Sequence, residues 1–403
     1  MTPKVGIIGI NGFGATHVGV ILDLVKKGDL ECTAFADVKV DPESEGYKRL
    51  IKVGAKHYID YIEMLEDNKD LDFVVISTPI PLHAPMAVEA LERGFNVLLE
   101  KPPAVTVQDI DKIIEASERT GNICTVNFQN TSFKSFLELN RMVADGELGE
   151  IKSVIGVGLW KRTDAYYERT PWAGELIHNG EYVLDGTVNN PLAHLLNNCL
   201  IVAGKGNAED ALPVKVQGEL YKGHNIEGED TACLRVHTQN NIKVLFYTTL
   251  CSLVQEIPYI IVKGDKGKAT WTYNNDLVLE YNDGEKRELT YDKELPIENI
   301  YYNLIDVLNS NEKRLLASIK ACKSFVLASN GAFESSKETM KIGDEYLVRK
   351  KEGDTISTYI KDIEDIVATA LKEEKLFSEL GIEWAKKTEV FDLGGYTEFN
   401  LFK

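Results

Sequence analysis

The sequence predicts an α/β protein in two parts. A parallel sheet wound with crossover helices comes first, then an α/β domain with a large, mainly antiparallel open sheet. Three observations carry this. Up to residue 125, short apolar runs alternate with helical patterns, as strands joined by crossover helices do. A glycine cluster, Gly9-Ile10-Asn11-Gly12-Phe13-Gly14, follows the first apolar run directly. Beyond residue 150 the runs lengthen and are joined by turn signals, the habit of antiparallel strands.

Taken in order, 5–10 is an apolar run of strand length, and Val18, Ile21, Leu22 and Val25 then recur at helical spacing. Strands follow at 32–36 and 73–77. Met86, Ala90 and Leu91 mark a helix stopped by Gly94, and 96–99 is a further strand. Ile110, Ile113 and Ile114 belong to a helix ending near Gly121, and 123–127 closes this unit. A helix over 133–143 ends in Asp145-Gly146-Glu147-Leu148-Gly149, a stop followed by a turn. Strands are predicted at 151–160, 214–221, 232–237, 242–250 and 258–263, with a helical segment at 189–202 between them. Helices return at 301–308 and 315–335. Ile360, Ile363, Ile366, Val367, Ala370 and Leu371 share the stripe of one last amphipathic helix. The expected boundaries are a nucleotide-binding domain at 1–127, a substrate and oligomerisation domain at 128–335, and a C-terminal helical extension at 336–403 packed on the second domain.

The chain of 403 residues is long enough for two or three domains, and 44% hydrophobic with 27% charged residues is ordinary globular composition. Lys and Arg number 45 against 63 Asp and Glu, a net charge of −18. Such a surface repels polyphosphate and anionic lipid, which sets nucleic-acid and membrane partners aside. No apolar run reaches bilayer length, and the N-terminus leads straight into the first strand, so no signal peptide is expected. Cys32, Cys124, Cys199, Cys233, Cys251 and Cys322 show no C-x-x-C and no metal-ligand spacing. They read as buried thiols in the reducing cytoplasm, with no bound metal expected and no glycan at Asn130-Thr131-Ser132.

The glycine cluster lies between a strand and a helix, where a dinucleotide-binding turn brings backbone N–H groups to a pyrophosphate at a helix N-terminus. Asn11 stands at the middle glycine position and tolerates a left-handed backbone better than other residues. Asp37 ends the next strand, where a carboxylate accepts hydrogen bonds from the ribose hydroxyls and favours NAD. Lys39 nearby leaves NADP open. A plain tight turn is the bland alternative.

Gly9-x-Asn11-x-x-Gly14-x-x-His17, Ser77-Thr78-Pro79-x-x-x-His83 and Glu100-Lys101-Pro102 together resemble the glucose–fructose oxidoreductase and inositol dehydrogenase superfamily (Gfo/Idh/MocA). Leu148-Gly149-Glu150-Ile151, Trp160-x-Arg162, Tyr166-Tyr167, Trp172-Ala173-Gly174 and Gly264-x-x-Gly267 extend the resemblance to about residue 335. It implies a Rossmann domain holding a nicotinamide cofactor, an open-sheet second domain used for homo-oligomerisation, and sugar or polyol substrates. The implied cofactor contacts are Gly9, Asn11, Gly12, Phe13, Gly14, Asp37, Thr78, Pro79, His83, Glu100 and Lys101.

The residues agree with this from below. Lys101 ends a parallel strand at the carboxyl edge, where open α/β sheets hold their ligands. An ammonium there can hold a substrate oxygen and relay a proton; a salt bridge to Glu100 is the alternative. The family places Asp and His four residues apart, and Asp185 matches the Asp. Asn189 stands where the His belongs, and it cannot take a proton at neutral pH. His194, four residues after Asn190, could share a helix face with it and serve as base; a core histidine is the equal alternative. His178 is a weaker candidate, and Asp185 could instead be a helix N-cap. Tyr166, Tyr167 and Trp172 suit a sugar face or packing beneath the sheet. The expected function is hydride transfer between NAD and a secondary hydroxyl of a sugar, polyol or sugar derivative. Its rivals are a glycoside-cleaving enzyme that keeps its NAD and oxidises its substrate transiently, and a non-catalytic nucleotide-binding sensor.

Overall fold

The structure, a computed structural model, describes residues 2–312 and 314–402. The chain forms two compact units: Met1–Ala104 with Asp109–Ser132 and Leu295–Lys320, and Val105–Gln108 with Phe133–Glu294 and Ala321–Lys403.

The first unit holds six strands, β1 (Lys4–Ile8), β2 (Glu31–Ala36), β3 (Lys56–Tyr58), β4 (Phe73–Ile76), β5 (Asn96–Leu99) and β6 (Cys124–Val126), in the order β3-β2-β1-β4-β5-β6. All pairs are parallel. The crossovers carry α1 (Gly14–Lys27), α2 (Glu45–Lys52), α3 (Tyr61–Asp67), α4 (His83–Glu92) and α5 (Val107–Thr120). Helices cover both faces, which is why β4 is buried at every residue and reads as one apolar run. The chain reverses its direction of winding between β1 and β4, and this opens a crevice at the carboxyl edge. The expectation passed over α2, β3 and α3. β3 has three residues, and α2 buries only Leu50, so neither carries much hydrophobic signal.

The second unit opens with α6 (Lys134–Ala144) and builds its large sheet from β7 (Ile151–Leu159). Next come α7 (Asp164–Tyr167), the short pair β8 (Ile177–His178) and β9 (Glu181–Tyr182), and α8 (Ala193–Ala203). The sheet continues with β10 (Pro213–Lys222), β11 (Thr231–Thr238), β12 (Lys243–Thr249), β13 (Tyr259–Gly264), β14 (Gly267–Thr272), β15 (Asp276–Tyr281) and β16 (Lys286–Thr290). Its pairs are antiparallel except for β7 with β12 and β10 with a late edge strand. The predicted fold class holds, and the sheet extends beyond the predicted strands through β14, β15 and β16.

α9 (Pro296–Leu308) departs from the expected boundaries. Its Ile297, Ile300, Tyr301 and Leu304 join Val5, Ile7, Ile21 and Phe73 in the core of the first unit. Helical periodicity announces an apolar stripe but not which core receives it.

The last segment differs from the expected helical extension. α10 (Ile319–Ser336) is followed by β17 (Met340–Lys341), the hairpin β18 (Leu347–Glu352) and β19 (Thr355–Ile360), α11 (Ile363–Glu373) and β20 (Phe391–Asp392). Ile360, expected on the helical stripe, closes β19, and Asp362 at φ 58° separates it from the helix. Ile360, Ile363, Val367, Ala370, Leu376, Phe377 and Trp384 pack with Ile155, Val157, Tyr221, Leu245 and Tyr247 of the sheet. Polar ties fix this cover. Ser378 donates its hydroxyl to Glu219 at 2.5 Å, and Tyr247 donates to the Lys375 carbonyl at 3.0 Å. The chain's own C-terminal segment therefore covers the sheet face at β7 and β10–β12. All six cysteines are buried and unbridged. No helix among the described residues is long and apolar enough to cross a membrane.

Candidate functional site

β1 delivers the chain to the carboxyl edge, and the loop Gly9–Gly14 turns there against two neighbouring strands. Gly9 donates its N–H to the Ala36 carbonyl at 2.8 Å, and Ser77 donates to the Ile8 carbonyl at 2.9 Å. Gly9 has φ 87°, and a Cβ on it would lie 2.3 Å from the Ser77 carbonyl oxygen. Gly12 has φ 58° and nothing within 4 Å of where a side chain would begin. That open space over a left-handed residue is the room a ligand needs to approach the backbone. The left-handed positions are Gly9 and Gly12, not Asn11, which corrects the reason first given for Asn11. Asn11 is there for its amide, which donates to Asp37 Oδ2 at 3.0 Å and to the Lys39 carbonyl at 2.9 Å.

Asp37 is half-buried and held in place. Its Oδ2 also accepts the Ile10 N–H at 2.9 Å, and its Oδ1 accepts the Lys39 N–H at 2.9 Å. A carboxylate has about four lone-pair sites, so one remains for a hydroxyl. The Lys39 side chain makes no ion pair with Asp37 among the described residues. Thr78 Oγ1, on the adjoining loop, is buried with no hydrogen-bond partner. An orphaned hydroxyl beside an open glycine loop fits a polar ligand at this edge. Phe13 is 46% exposed and Pro79 is also exposed at this edge.

His83 and Glu100, expected as cofactor contacts, are instead buried supports. His83 sets its ring nitrogens 2.7 Å from the Pro102 carbonyl and 2.8 Å from the Thr78 carbonyl, joining the two loops that flank the edge. Burial pushes its pKa down, outweighing the two carbonyls that favour a proton on each nitrogen. Glu100 Oε1 accepts from Asn127 at 2.5 Å and lies 2.8 Å from His17 Nε2, while Oε2 accepts the Lys101 N–H at 3.1 Å. Burial pushes the Glu100 carboxyl up, but the bonds from His17 and Asn127 outweigh it and hold it below its ordinary value. Tyr301 completes the chain, its hydroxyl 2.7 Å from His17 Nδ1. Lys101, half-buried, thus projects from a residue whose backbone is pinned on a buried network. His17 stood in the first motif; Asn127 and Tyr301 carried no signal of a role.

The second unit holds the other predicted residues. Asp185 is buried; its Oδ2 accepts the Gly174 N–H at 2.7 Å and Arg169 Nη2 at 3.3 Å, and its Oδ1 accepts Asn190 Nδ2 at 2.7 Å. It is not the N-cap of α8, which is Leu192. Asn189 is 1% exposed, donating to the Leu184 carbonyl at 3.2 Å and accepting from Ser329 at 2.8 Å. Both ends of its amide are committed to the protein, which removes it from the catalytic candidates. The expected helix over 189–202 begins only at Ala193, so Asn190 and His194 do not share a helix face. The cause is Glu229, which sequence reasoning missed. Its carbonyl accepts the Thr187 N–H at 3.0 Å and its Oε1 accepts the Val188 N–H at 2.9 Å, winding 186–192 into turns. Glu229 is fully buried, and burial, reinforced by Asp185 and Asp230, pushes its carboxyl up to about 8. His194 is half-buried on the first turn of α8, and His178 lies 2.6 Å from Glu175.

His224, Asp230 and Cys251 bring ligand-type atoms within 4.8 Å of one another. Asp230, however, already accepts from the Gly223 N–H, the His224 N–H, His224 Nδ1 and the Thr231 hydroxyl. Its lone pairs are filled, so the cluster is a buried hydrogen-bond network. Tyr167 packs its ring 4.9 Å from that of His224 and edge-on to that of Tyr166 at 5.1 Å.

Residues 3–128 match the sequence profile of an oxidoreductase family with an NAD-binding Rossmann fold. The chain is 31% identical over 176 residues to inositol 2-dehydrogenase of Salmonella typhimurium, across 42% of this chain and 51% of that protein. It is 31% identical over 156 residues to an alpha-N-acetylgalactosaminidase of Shewanella oneidensis, across 37% of this chain and 33% of that protein. The chain thus spans about half of the first relative's length and a third of the second's. Among solved structures it resembles the WlbA dehydrogenase of Bordetella pertussis in complex with NADH and UDP-GlcNAcA, at TM-score 0.67 and 20% identity over 84% of this chain and 97% of that one. An NAD binding oxidoreductase of Klebsiella pneumoniae gives TM-score 0.71 and 17% identity over 83% of this chain and 97% of that one. At these identities the structural likeness is one of fold.

Proposed function

We propose that this chain is a member of the Gfo/Idh/MocA oxidoreductase family and an NAD-dependent dehydrogenase acting on a secondary hydroxyl of a sugar, polyol or sugar derivative, a reading supported by the match over residues 3–128 and the likeness to inositol 2-dehydrogenase. The observation that carries the reading is the Gly9–Gly14 loop, open above Gly12 and closed on Asp37. The loop's N–H groups and the start of α1 would hold the pyrophosphate. Asp37 would accept from the ribose hydroxyls and repel a 2′-phosphate, which assigns NAD over NADP. Thr78, Pro79 and Phe13 would line the edge around it. When bound, NAD supplies the hydride acceptor. Lys101 would hold the substrate oxygen and take up or pass on its proton, kept in place by the Glu100 network behind it. Asp185 is proposed as a second group acting on the substrate, with His194 as the candidate base in place of the family's histidine. The six buried thiols support a cytoplasmic setting. Homo-oligomerisation is proposed only through surfaces outside the covered face of β7 and β10–β12.

A second reading is favoured by the 31% identity to the alpha-N-acetylgalactosaminidase: transient oxidation that makes a glycosidic bond eliminable, with the hydride returned. Screening sugars, polyols and aryl glycosides while following nicotinamide absorbance tests both. NADH accumulating in step with turnover supports the dehydrogenase; glycoside cleavage with no net NADH supports the alternative.

A further inference from the structure

This chain carries a net charge of −18, yet one short segment of its second unit stacks two guanidinium groups on a single tyrosine ring. The Arg169 guanidinium carbon lies 3.8 Å from the Tyr166 ring centre and 5.4 Å from that of Trp172. The Arg162 guanidinium carbon lies 5.2 Å from the Tyr166 centre and 4.7 Å from that of Trp160. Each arginine is also tied down by its Nη1. That of Arg162 donates to the Lys161 carbonyl at 2.8 Å and weakly to Gln255 at 3.3 Å. That of Arg169 donates to the Tyr166 carbonyl at 2.6 Å.

Their charges are not matched. Arg169 Nη2 reaches Asp185 Oδ2 only at 3.3 Å, on an oxygen that the Gly174 N–H already occupies at 2.7 Å. Arg162 makes no ion pair with any carboxylate among the described residues, although Asp164 and Glu168 lie on the same segment. Lys161, by contrast, is satisfied by Glu352 at 2.6 Å. Arg162 is partly buried and Arg169 exposed, and only Arg169 reaches a carboxylate, so this segment carries excess positive charge on guanidinium planes laid over aromatic faces. Stacked arginines lose little entropy on binding and present paired donors to planar oxygen anions.

We propose that Arg162 and Arg169 form an anion-recognition site of the second unit, for a sugar ligand that carries a carboxylate or a phosphate. The inference rests on the sugar-dehydrogenase reading for the ligand's scaffold and on the arginine pair for its charge. Arg162 supplies the guanidinium donors beyond Nη1, whose bonds go to Lys161 and Gln255, and Arg169 shares itself between the anion and Asp185.

The test uses the full-length protein loaded with NAD at low ionic strength, with D-glucose, D-glucuronate and D-glucose 6-phosphate as calorimetric probes. The expected result is binding of one anionic sugar at least about tenfold tighter than glucose, the scale of one charge-assisted fork. Which anion prefers the site separates carboxylate from phosphate. Arg162→Gln should bring that anion to within about threefold of glucose, and Arg162→Lys should restore only part of the preference, because the charge returns without the fork. Equal binding of glucose and both anions, binding of none, or an unchanged preference in Arg162→Gln would overturn the proposal. NAD affinity measured on the same samples keeps the two readings apart. Its loss would count against the nucleotide site, and its retention with no anion preference would count against the arginines alone.

Discussion

His17 Nε2 stands 2.8 Å from Glu100 Oε1, so the first turn of α1 is bonded to the residue that immediately precedes Lys101. The helix proposed to hold the pyrophosphate and the proposed catalytic lysine are thereby held on one buried network that also takes in Asn127 and Tyr301. Glu100→Ala should cost roughly 3 kcal/mol, because His17 and Asn127 lose a charged partner while still buried. The folded pKa of Glu100 is depressed, so its stabilising contribution is present above its ordinary value and lost as pH falls through the lowered one. Urea unfolding of the wild type and Glu100→Gln at neutral and acid pH checks this. The gap between them should shrink in acid.

Asp37 should make NAD bind more tightly than NADP, and Asp37→Ala should narrow the difference while leaving the pyrophosphate contacts of the loop. Gly12→Val should weaken both nucleotides by more than about tenfold, because a side chain would enter the open space over the loop at φ 58°. Dissociation constants by fluorescence titration decide. Tighter NADP binding in the wild type would mean that Lys39 or another cation governs the site.

Glu229 should set a pH limit on stability. Its proton is held more tightly in the folded chain, with the carboxyl pushed up to about 8 from an ordinary 4.5. The contribution is therefore full below the ordinary value and lost as pH rises through about 8. Glu229→Gln should flatten that alkaline loss and cost little at neutral pH. Glu229→Ala, which orphans the Val188 N–H, should cost roughly 2 kcal/mol. Thermal melts between pH 5 and pH 9 read both, and an unchanged alkaline slope in Glu229→Gln would reject the assignment.

Phe377 is fully buried where the C-terminal segment meets the large sheet. Phe377→Ala should cost roughly 3–5 kcal/mol and loosen this cover. Exposed sheet surface should then appear as self-association in sedimentation at concentrations where the wild type shows none by this face.

Much of the first unit was legible because its signals are local. Strands buried on both faces, such as β4, read as apolar runs, and Gly9, Gly12, Asp37 and Lys101 follow the carboxyl ends of β1, β2 and β5 within a few residues. What escaped is set by distant partners. Nothing near Tyr301 says that its hydroxyl will meet His17, 284 residues away. Glu229, between Gly228 and Asp230 in a turn-like stretch, reads as a surface carboxylate until the fold buries it. Asn189 looked like a substitute for a catalytic histidine because position alone does not reveal that Leu184 and Ser329 consume its amide. Ile360 fitted a helical stripe, and the hairpin with β18 overrode that periodicity.

His194 and Lys101 make different pH profiles. If His194 is the base, activity should rise through an ionisation near neutrality, and His194→Asn should abolish that rise. A profile that His194→Asn leaves unchanged would assign the proton transfer to Lys101 and Asp185.

The central claim, hydride transfer with Lys101 at the reacting hydroxyl, is tested most directly by the rate of NADH formation in wild type and Lys101→Ala at saturating NAD. Turnover should produce NADH in step with substrate consumed, and Lys101→Ala should bind NAD normally yet form NADH roughly 10²-fold more slowly. Wild-type rates in Lys101→Ala, or substrate consumed with no NADH released, would contradict it.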